Sequence, residues 1–282
     1  MTAQGANGAP GTGTAPAGAR RVLSRTASRV LAAVTLAAVA LRLVMGLFVA
    51  PSDSAGDPPQ GQVYRLLFLH VPSAWVAYLA FGVTAMASIL YLIPRTRGLQ
   101  WDHLAGASAE LGVIFTALVL VEGSLWGKPV WGAWWAWDAR LTTTAVLFFL
   151  YLGYLALRRI GGSPHQRSMR SAIAALIAFI DVPIVHFSVT WWTTLHQDGS
   201  IFNQKMQVHI QDARMNAALI VGVVASTLVY ASLCIARMRL LALEEGMEER
   251  ELQAAIEERL AARRDPSASS PAPQPVVTGS TA

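Results

Sequence analysis

Five of the chain's nine tryptophans, Trp126, Trp131, Trp134, Trp135 and Trp137, fall within twelve consecutive positions, and Asp138 and Arg140 close the run. The surrounding stretch, Ser124 to Thr142, reads SLWGKPVWGAWWAWDARLT. Gly127, Pro129 and Gly132 interrupt it, so it reads as a loop and not as a span. Indole rings are flat and amphipathic and prefer the depth at which a bilayer meets water. An aromatic belt accounts for a few scattered tryptophans. Five in one loop, ended by an acid and a base, make a platform of flat rings for a flat ligand.

Two histidines lie in the apolar runs on either side of this platform. His70 sits in Arg65-Leu-Leu-Phe-Leu-His70-Val-Pro72, and His186 in Asp181-Val-Pro183-Ile-Val-His186-Phe-Ser. An ionisable residue inside a span is a functional hypothesis by default. The bland alternative is a neutral imidazole hydrogen-bonded within a helix bundle. Two imidazoles at matched depth beneath a ring platform favour axial ligation of a haem iron. Haem also carries two propionates, and Arg65 and Arg140 are guanidinium groups suited to take a carboxylate bidentately. Lys128 is a third choice, and each cation otherwise only anchors a helix end. Asp138 and Arg140, two positions apart, face each other only across a turn. Glu110 and Asp181, within predicted spans, read equally as interhelical hydrogen bonders or as part of a haem path.

The spacing Trp131-Gly132-x-x-Trp135-x-Trp137-Asp138 resembles the tryptophan-rich WWD signature of the haem-handling proteins of cytochrome c biogenesis. The continuation Asp138-Ala139-Arg140-Leu141-Thr142 and the preceding Ser124-Leu125-Trp126-Gly127-Lys128-Pro129 are similar to the haem exporter C branch. The resemblance covers roughly residues 30 to 236. It implies haem b, bound non-covalently as cargo, with His70 and His186 as the iron ligands and His196 left for a supporting or partner contact. It implies that the chain is not an enzyme but holds haem for a membrane-anchored periplasmic haem chaperone. It also implies association with the ATP-binding cassette transporter complex of cytochrome c maturation and its small membrane subunit. No Gly-x-x-x-x-Gly-Lys-[Ser/Thr] run provides a nucleotide site in this chain. A haem lyase of the same superfamily and a transmembrane haem transporter subunit are the alternatives, with a two-haem electron carrier behind them.

The elements that must position these residues are apolar runs. Residues 1 to about 29 are predicted to be a disordered basic N-terminus, with Arg20, Arg21, Arg25 and Arg29 before a first span, Val30 to Ala50. Arg42 inside that span is expected to snorkel to the headgroups. The remaining spans run from about Leu66 to Leu92, Leu104 to Val121, Thr143 to Leu157, Ser171 to Val189 and Asn216 to Ala236. His103 and His165 fall at the end remote from the platform. His196 and His209 lie in a polar segment, Thr190 to Met215. Leu240 to Arg264 alternates Glu and Arg with apolar residues, as a solvated helix does, and residues from Pro266 onward are predicted disordered.

Composition agrees. The 282 residues are 54% hydrophobic and 14% charged, too apolar for an ordinary soluble domain. The net charge of +5 does not point to nucleic acid, because the arginines sit beside apolar runs and form no basic face. The single Cys234 excludes both an internal disulfide and a Cys-x-x-Cys-His haem attachment. Lys and Arg concentrate on the side holding both termini, which the positive-inside rule makes cytoplasmic. The expected fold is an all-α integral membrane protein of six transmembrane helices. Its Trp-rich loop, between helices 3 and 4, faces the periplasm from the bacterial inner membrane.

Overall fold

The computed structural model describes residues 24–50, 60–196 and 213–264. The regular structure of these residues is all helical, without a strand among them. Helix α1 (Arg25–Val44) opens on Ser24, whose hydroxyl accepts from the Ala27 amide, and ends in a π-helical turn, Met45–Val49. A 3₁₀ turn, Gln62–Leu66, leads into α2 (Leu67–Leu92). Then follow α3 (Leu99–Trp131), α4 (Ala139–Arg158), α5 (Pro164–Phe179), α6 (Asp181–Trp191) and α7 (Ala213–Arg264). Six segments are long and apolar enough to cross a membrane, α5 and α6 together forming the fifth. The expectation of six spans therefore holds.

The bundle centres on α2 and α3, which pack along their length, with α7 and α1 on one side and α4 to α6 on the other. Small residues make the closest contacts: Ala77, Ala80 and Thr84 of α2 meet Ala105, Ala107 and Ser108 of α3, all buried. Lipid tails are as apolar as leucine, so helices in a bilayer associate through close packing and hydrogen bonds. Ser108 Oγ accordingly donates to the Ala80 carbonyl at 2.7 Å. Phe81 and Tyr151 fill the bundle interior, while other bulky residues such as Leu36, Phe149 and Ile177 face outward.

Five expectations need correction. The Trp-rich stretch is not one loop: Ser124–Trp131 is the last two turns of α3, and only residues 132–138 are irregular. The fifth span breaks at Ile180, because Pro183 has no amide for the Phe179 carbonyl and its ring crowds that oxygen. The charged C-terminal segment is no separate helix but the continuation of α7. Arg42 does not snorkel. Its guanidinium turns into the bundle, donating to Ser226 Oγ at 2.8 Å and toward the Phe68 carbonyl at 3.4 Å. That carbonyl is the one freed by Pro72 four residues later, so Arg42 supplies the donor that proline removes. The first helix also starts earlier than expected, within the segment read as disordered. The expectations for residues 1–23 and 265–282, and for His209, lie outside the described residues.

Candidate functional site

The site gathers where α2, α3 and α4 end or begin and where the chain leaves α6. His70 stands in the first turn of α2, 8% exposed. Its ring meets Trp126 edge-on at 5.9 Å and faces His196 at 6.3 Å with a 32° tilt. Trp131 lies against the other partner, 6.3 Å from His196. Trp126 is itself fixed, its indole N–H donating to Gln60 Oε1 at 2.9 Å and its ring resting against Tyr64.

Trp131 folds back over Gly127, where a Cβ would come within 2.9 Å of its ring, so the two residues at i and i+4 form one seat. Gly132 then ends α3 in the left-handed region, φ 77°, a conformation open to glycine at little cost. Lys128 Nζ donates to the Gly132 carbonyl at 3.0 Å, which makes this lysine a helix-end anchor. Trp134 and Trp137 project outward, 57% and 83% exposed, and Trp137 meets Trp135 edge-on.

Asp138 joins the two halves of the site. One carboxylate oxygen caps α4, accepting from the Leu141 amide at 2.8 Å. The other accepts from Thr194 Oγ1 at 2.5 Å and from the Leu195 amide at 3.2 Å. Thr194 Oγ1 in turn accepts from the His196 amide at 3.1 Å. The acid of the tryptophan-rich motif thus holds the segment that delivers His196.

The sequence pairing of His70 with His186 at one depth does not appear. His186 is exposed, and its ring meets Tyr78 at 6.1 Å and Phe187 at 4.9 Å. Tyr78 is eight residues beyond His70 on α2, or about 12 Å along the axis at 1.5 Å per residue. The structure therefore brings His70 together with His196 and leaves His186 about two turns deeper. The proline break at Ile180 changes where each residue of the fifth span lies, which equal counting along two unbroken helices misses.

The two arginines part company as well. Arg65 is engaged: its Nε donates to Gln62 Oε1 at 2.6 Å, and its Nη1 reaches the Gly46 carbonyl at 3.2 Å and the Leu47 carbonyl. It binds the π-helical turn that follows α1. Arg140 donates once, from Nη2 to the His186 carbonyl at 2.9 Å, and its Nε is buried without a partner. Trp135 Nε1 is also buried without a partner. Arg140 is close enough to act electrostatically on both His70 and His186. Glu110 is an interhelical hydrogen bonder, held by Arg237 at 2.5 and 3.0 Å. Asp181 is buried with one carboxylate oxygen unpartnered.

Sequence reasoning missed Glu122, which sits beside His70 with Oε2 4.0 Å from Nδ1. Its signal is a carboxylate directly after the apolar run Leu104 to Val121, one residue past the expected end of the third span. Among the described residues, no cluster of three metal-ligating side chains is present. The unpartnered buried donors, the two imidazoles and the indoles flanking them suit a flat metal macrocycle with carboxylates.

The fold and the site define a multi-pass helical membrane protein with an imidazole-and-indole site at one end of its bundle. The chain belongs to the Heme exporter protein C family, whose model matches residues 14–253. It is 39% identical over 206 residues to Heme exporter protein C of Bradyrhizobium diazoefficiens, covering 72% of this chain and 75% of that one. The corresponding protein of Escherichia coli K12 is 36% identical over 211 residues, 74% and 81% of the two chains. That of Haemophilus influenzae is 41% identical over 175 residues, 62% and 68%. A mitochondrial protein of Marchantia polymorpha named for cytochrome c biosynthesis is 39% identical over 171 residues, 61% and 70%. Membership makes this chain a membrane component of cytochrome c biogenesis, with haem as the molecule handled.

Proposed function

We propose that the protein holds haem b non-covalently at the periplasmic face of the inner membrane and presents it to a membrane-anchored haem chaperone. His70 and His196 are the iron ligands. The observation that carries this is their spacing. Two imidazoles bound to one metal at about 2 Å each, with a ring radius added at either end, stand about 6 Å apart between centroids. The two rings here are 6.3 Å apart, flanked by Trp126 and Trp131.

Trp126 and Trp131 shield the sides of the macrocycle, and Arg140, with its unpartnered Nε, takes a propionate. Trp134 and Trp137 form the exposed lip that the chaperone meets. On this reading the chain is a holder of haem and not a lyase. Association with the transporter complex and its small subunit supplies the rest of the machinery.

The test is spectroscopic. Haem-loaded protein should be six-coordinate and low-spin. His70→Ala and His196→Ala should each lose that spectrum and regain it with added imidazole, while His103→Ala, His165→Ala and His186→Ala keep it. Loss on His186→Ala with retention on His196→Ala would overturn the pairing in favour of the one the sequence resemblance implies. Loaded protein mixed with the chaperone should pass haem to it, and Trp137→Ala should slow that transfer without changing the spectrum.

A further inference from the structure

Glu122 occupies α3 one turn before Trp126 and lies within the membrane-spanning part of the bundle. Its Oε1 accepts from Ser73 Oγ at 3.4 Å, and its Oε2 points at the Nδ1 edge of His70 across 4.0 Å. Both of those facing atoms, His70 Nδ1 and Glu122 Oε2, are buried and have no hydrogen-bond partner. One is a ring nitrogen able to donate, the other an oxygen able to accept, and each is what the other lacks.

The neighbouring backbone holds the pair in this register. A Cβ on Gly123 would stand 3.2 Å from His70 Cε1, so the ring rests directly on α3 beside Glu122. Ser73, one turn after His70 on α2, shares its single hydroxyl proton between the Leu69 carbonyl at 2.8 Å and Glu122 Oε1 at 3.4 Å, so the carboxylate is turned toward that helix. Arg42 of α1, fixed by Ser226 of α7, is close enough to act on Glu122 electrostatically. Four helices therefore contribute to placing one carboxylate against one edge of one imidazole.

We propose that Glu122 is a positioning residue for His70: it accepts the Nδ1–H hydrogen bond and so commits Nε2 on the opposite ring edge to the haem iron. This rests on the reading of His70 as an iron ligand. A carboxylate behind a metal-bound histidine fixes the tautomer and ring orientation and makes the imidazole a stronger donor. A stronger donor favours ferric over ferrous iron, so Glu122 holds the haem's reduction potential down. Loss of such a partner typically weakens metal binding by about 10- to 100-fold.

The experiment compares the haem-loaded wild type with Glu122→Gln, Glu122→Ala and His70→Ala by equilibrium redox titration and low-spin electron paramagnetic resonance. Gln has the same shape and accepts the same hydrogen bond without the charge. Glu122→Ala should keep a six-coordinate spectrum while its ferric affinity falls about tenfold relative to ferrous, which is a rise of about 59 mV for a one-electron couple. Glu122→Gln should rise by less, and both should show altered low-spin g values. His70→Ala should lose six-coordination altogether. A potential and g values unchanged in Glu122→Gln and Glu122→Ala, with His70→Ala losing its spectrum, would overturn the role of Glu122 and leave the ligand assignment standing. A His70→Ala protein that keeps the wild-type spectrum would remove His70 as a ligand and the inference with it. Should Glu122→Ala fail to accumulate, the isosteric Glu122→Gln decides the matter by its potential alone.

Discussion

Arginine has three different tasks within one face of this bundle, and residue type does not distinguish them. Arg42 repairs the hydrogen bond that Pro72 removes, Arg65 binds carbonyls of the π-helical turn that follows α1, and Arg140 keeps a buried donor without a partner beside the two ring systems. Hydrogen bonds to a charged group contribute about 1.5–3 kcal/mol. Arg65→Ala should therefore lower the midpoint of thermal unfolding in detergent while leaving haem affinity within about twofold of wild type, since it removes a joint between α1 and α2 and no haem contact. Arg140→Ala should do the reverse, weakening haem about tenfold with little change in melting. Haem esterified at its propionates should bind wild type and Arg140→Ala alike. If the ester binds wild type as tightly as free haem does, Arg140 holds no propionate. The sequence identified both arginines as carboxylate candidates, but the contact that engages Arg65 joins residues 18 and 19 positions apart, beyond anything helical spacing reports.

The six spans were legible because each is a long apolar run, and their packing follows from the small residues those runs contain. The ends of the elements were not. Gly127 and Pro129 argue for a loop by local propensity, yet α3 runs through both: Gly127 is the close-packing surface for Trp131, and helix continues until Gly132 adopts a positive φ. Close packing by neighbouring rings outweighs the propensity cost of about 1 kcal/mol for a helical glycine. Forcing a branched side chain into the left-handed region costs more, so Gly132→Val should displace residues 132–138 and lower haem retention while the protein still accumulates in the membrane. Asp138 was read from sequence as a member of the motif, but its task, joining the start of α4 to the segment after α6, depends on a contact 56 residues away. Removing an N-cap costs about 1 kcal/mol. Asp138→Ala should therefore weaken haem binding more than its small loss of stability suggests, because His196 is released as well. Faster amide exchange at Leu195 and His196 in Asp138→Ala would mark that release, and unchanged exchange there would show that the segment holds itself.

Seen as a whole, the molecule has two unlike ends. At the Trp-rich end, polar groups gather at the candidate site and several buried ones remain unpartnered. At the other end, charges are matched: Arg158 grips Asp102 at 2.8 Å, Arg237 grips Glu110 and Glu244, and Glu245 sits between His103 at 2.6 Å and Arg167 at 3.5 Å. Those last contacts fasten the extension of α7 to the ends of the neighbouring helices, and beyond Glu248 every described residue of α7 is exposed. Its 52 residues measure about 78 Å, far more than the roughly 30 Å of hydrocarbon it has to cross. Ser28 near the start of α1 lies within 3.3 Å of Arg239, so the chain enters and leaves the bundle at this same end. Orientation follows from Lys and Arg alone, because acids contribute little to the positive-inside bias. The ion pairs therefore do not weaken the count: this end holds Arg29, Arg95, Arg97, Arg158, Arg159, Arg167, Arg170, Arg237 and Arg239, against Arg65, Lys128, Arg140 and Arg214 at the other among the described residues. A reporter active only outside the cytoplasm should be active when fused after Gly132 and silent when fused after Gly98 or Gly162. The opposite pattern would put the imidazole-and-indole site on the cytoplasmic face, where a periplasmic chaperone has no access to it. Replacing Arg95, Arg97 and Arg159 together with neutral residues removes three of the cations that set the bias while sparing the buried Arg158–Asp102 pair, and should give a mixed reporter signal at Gly132 in protein that still binds haem.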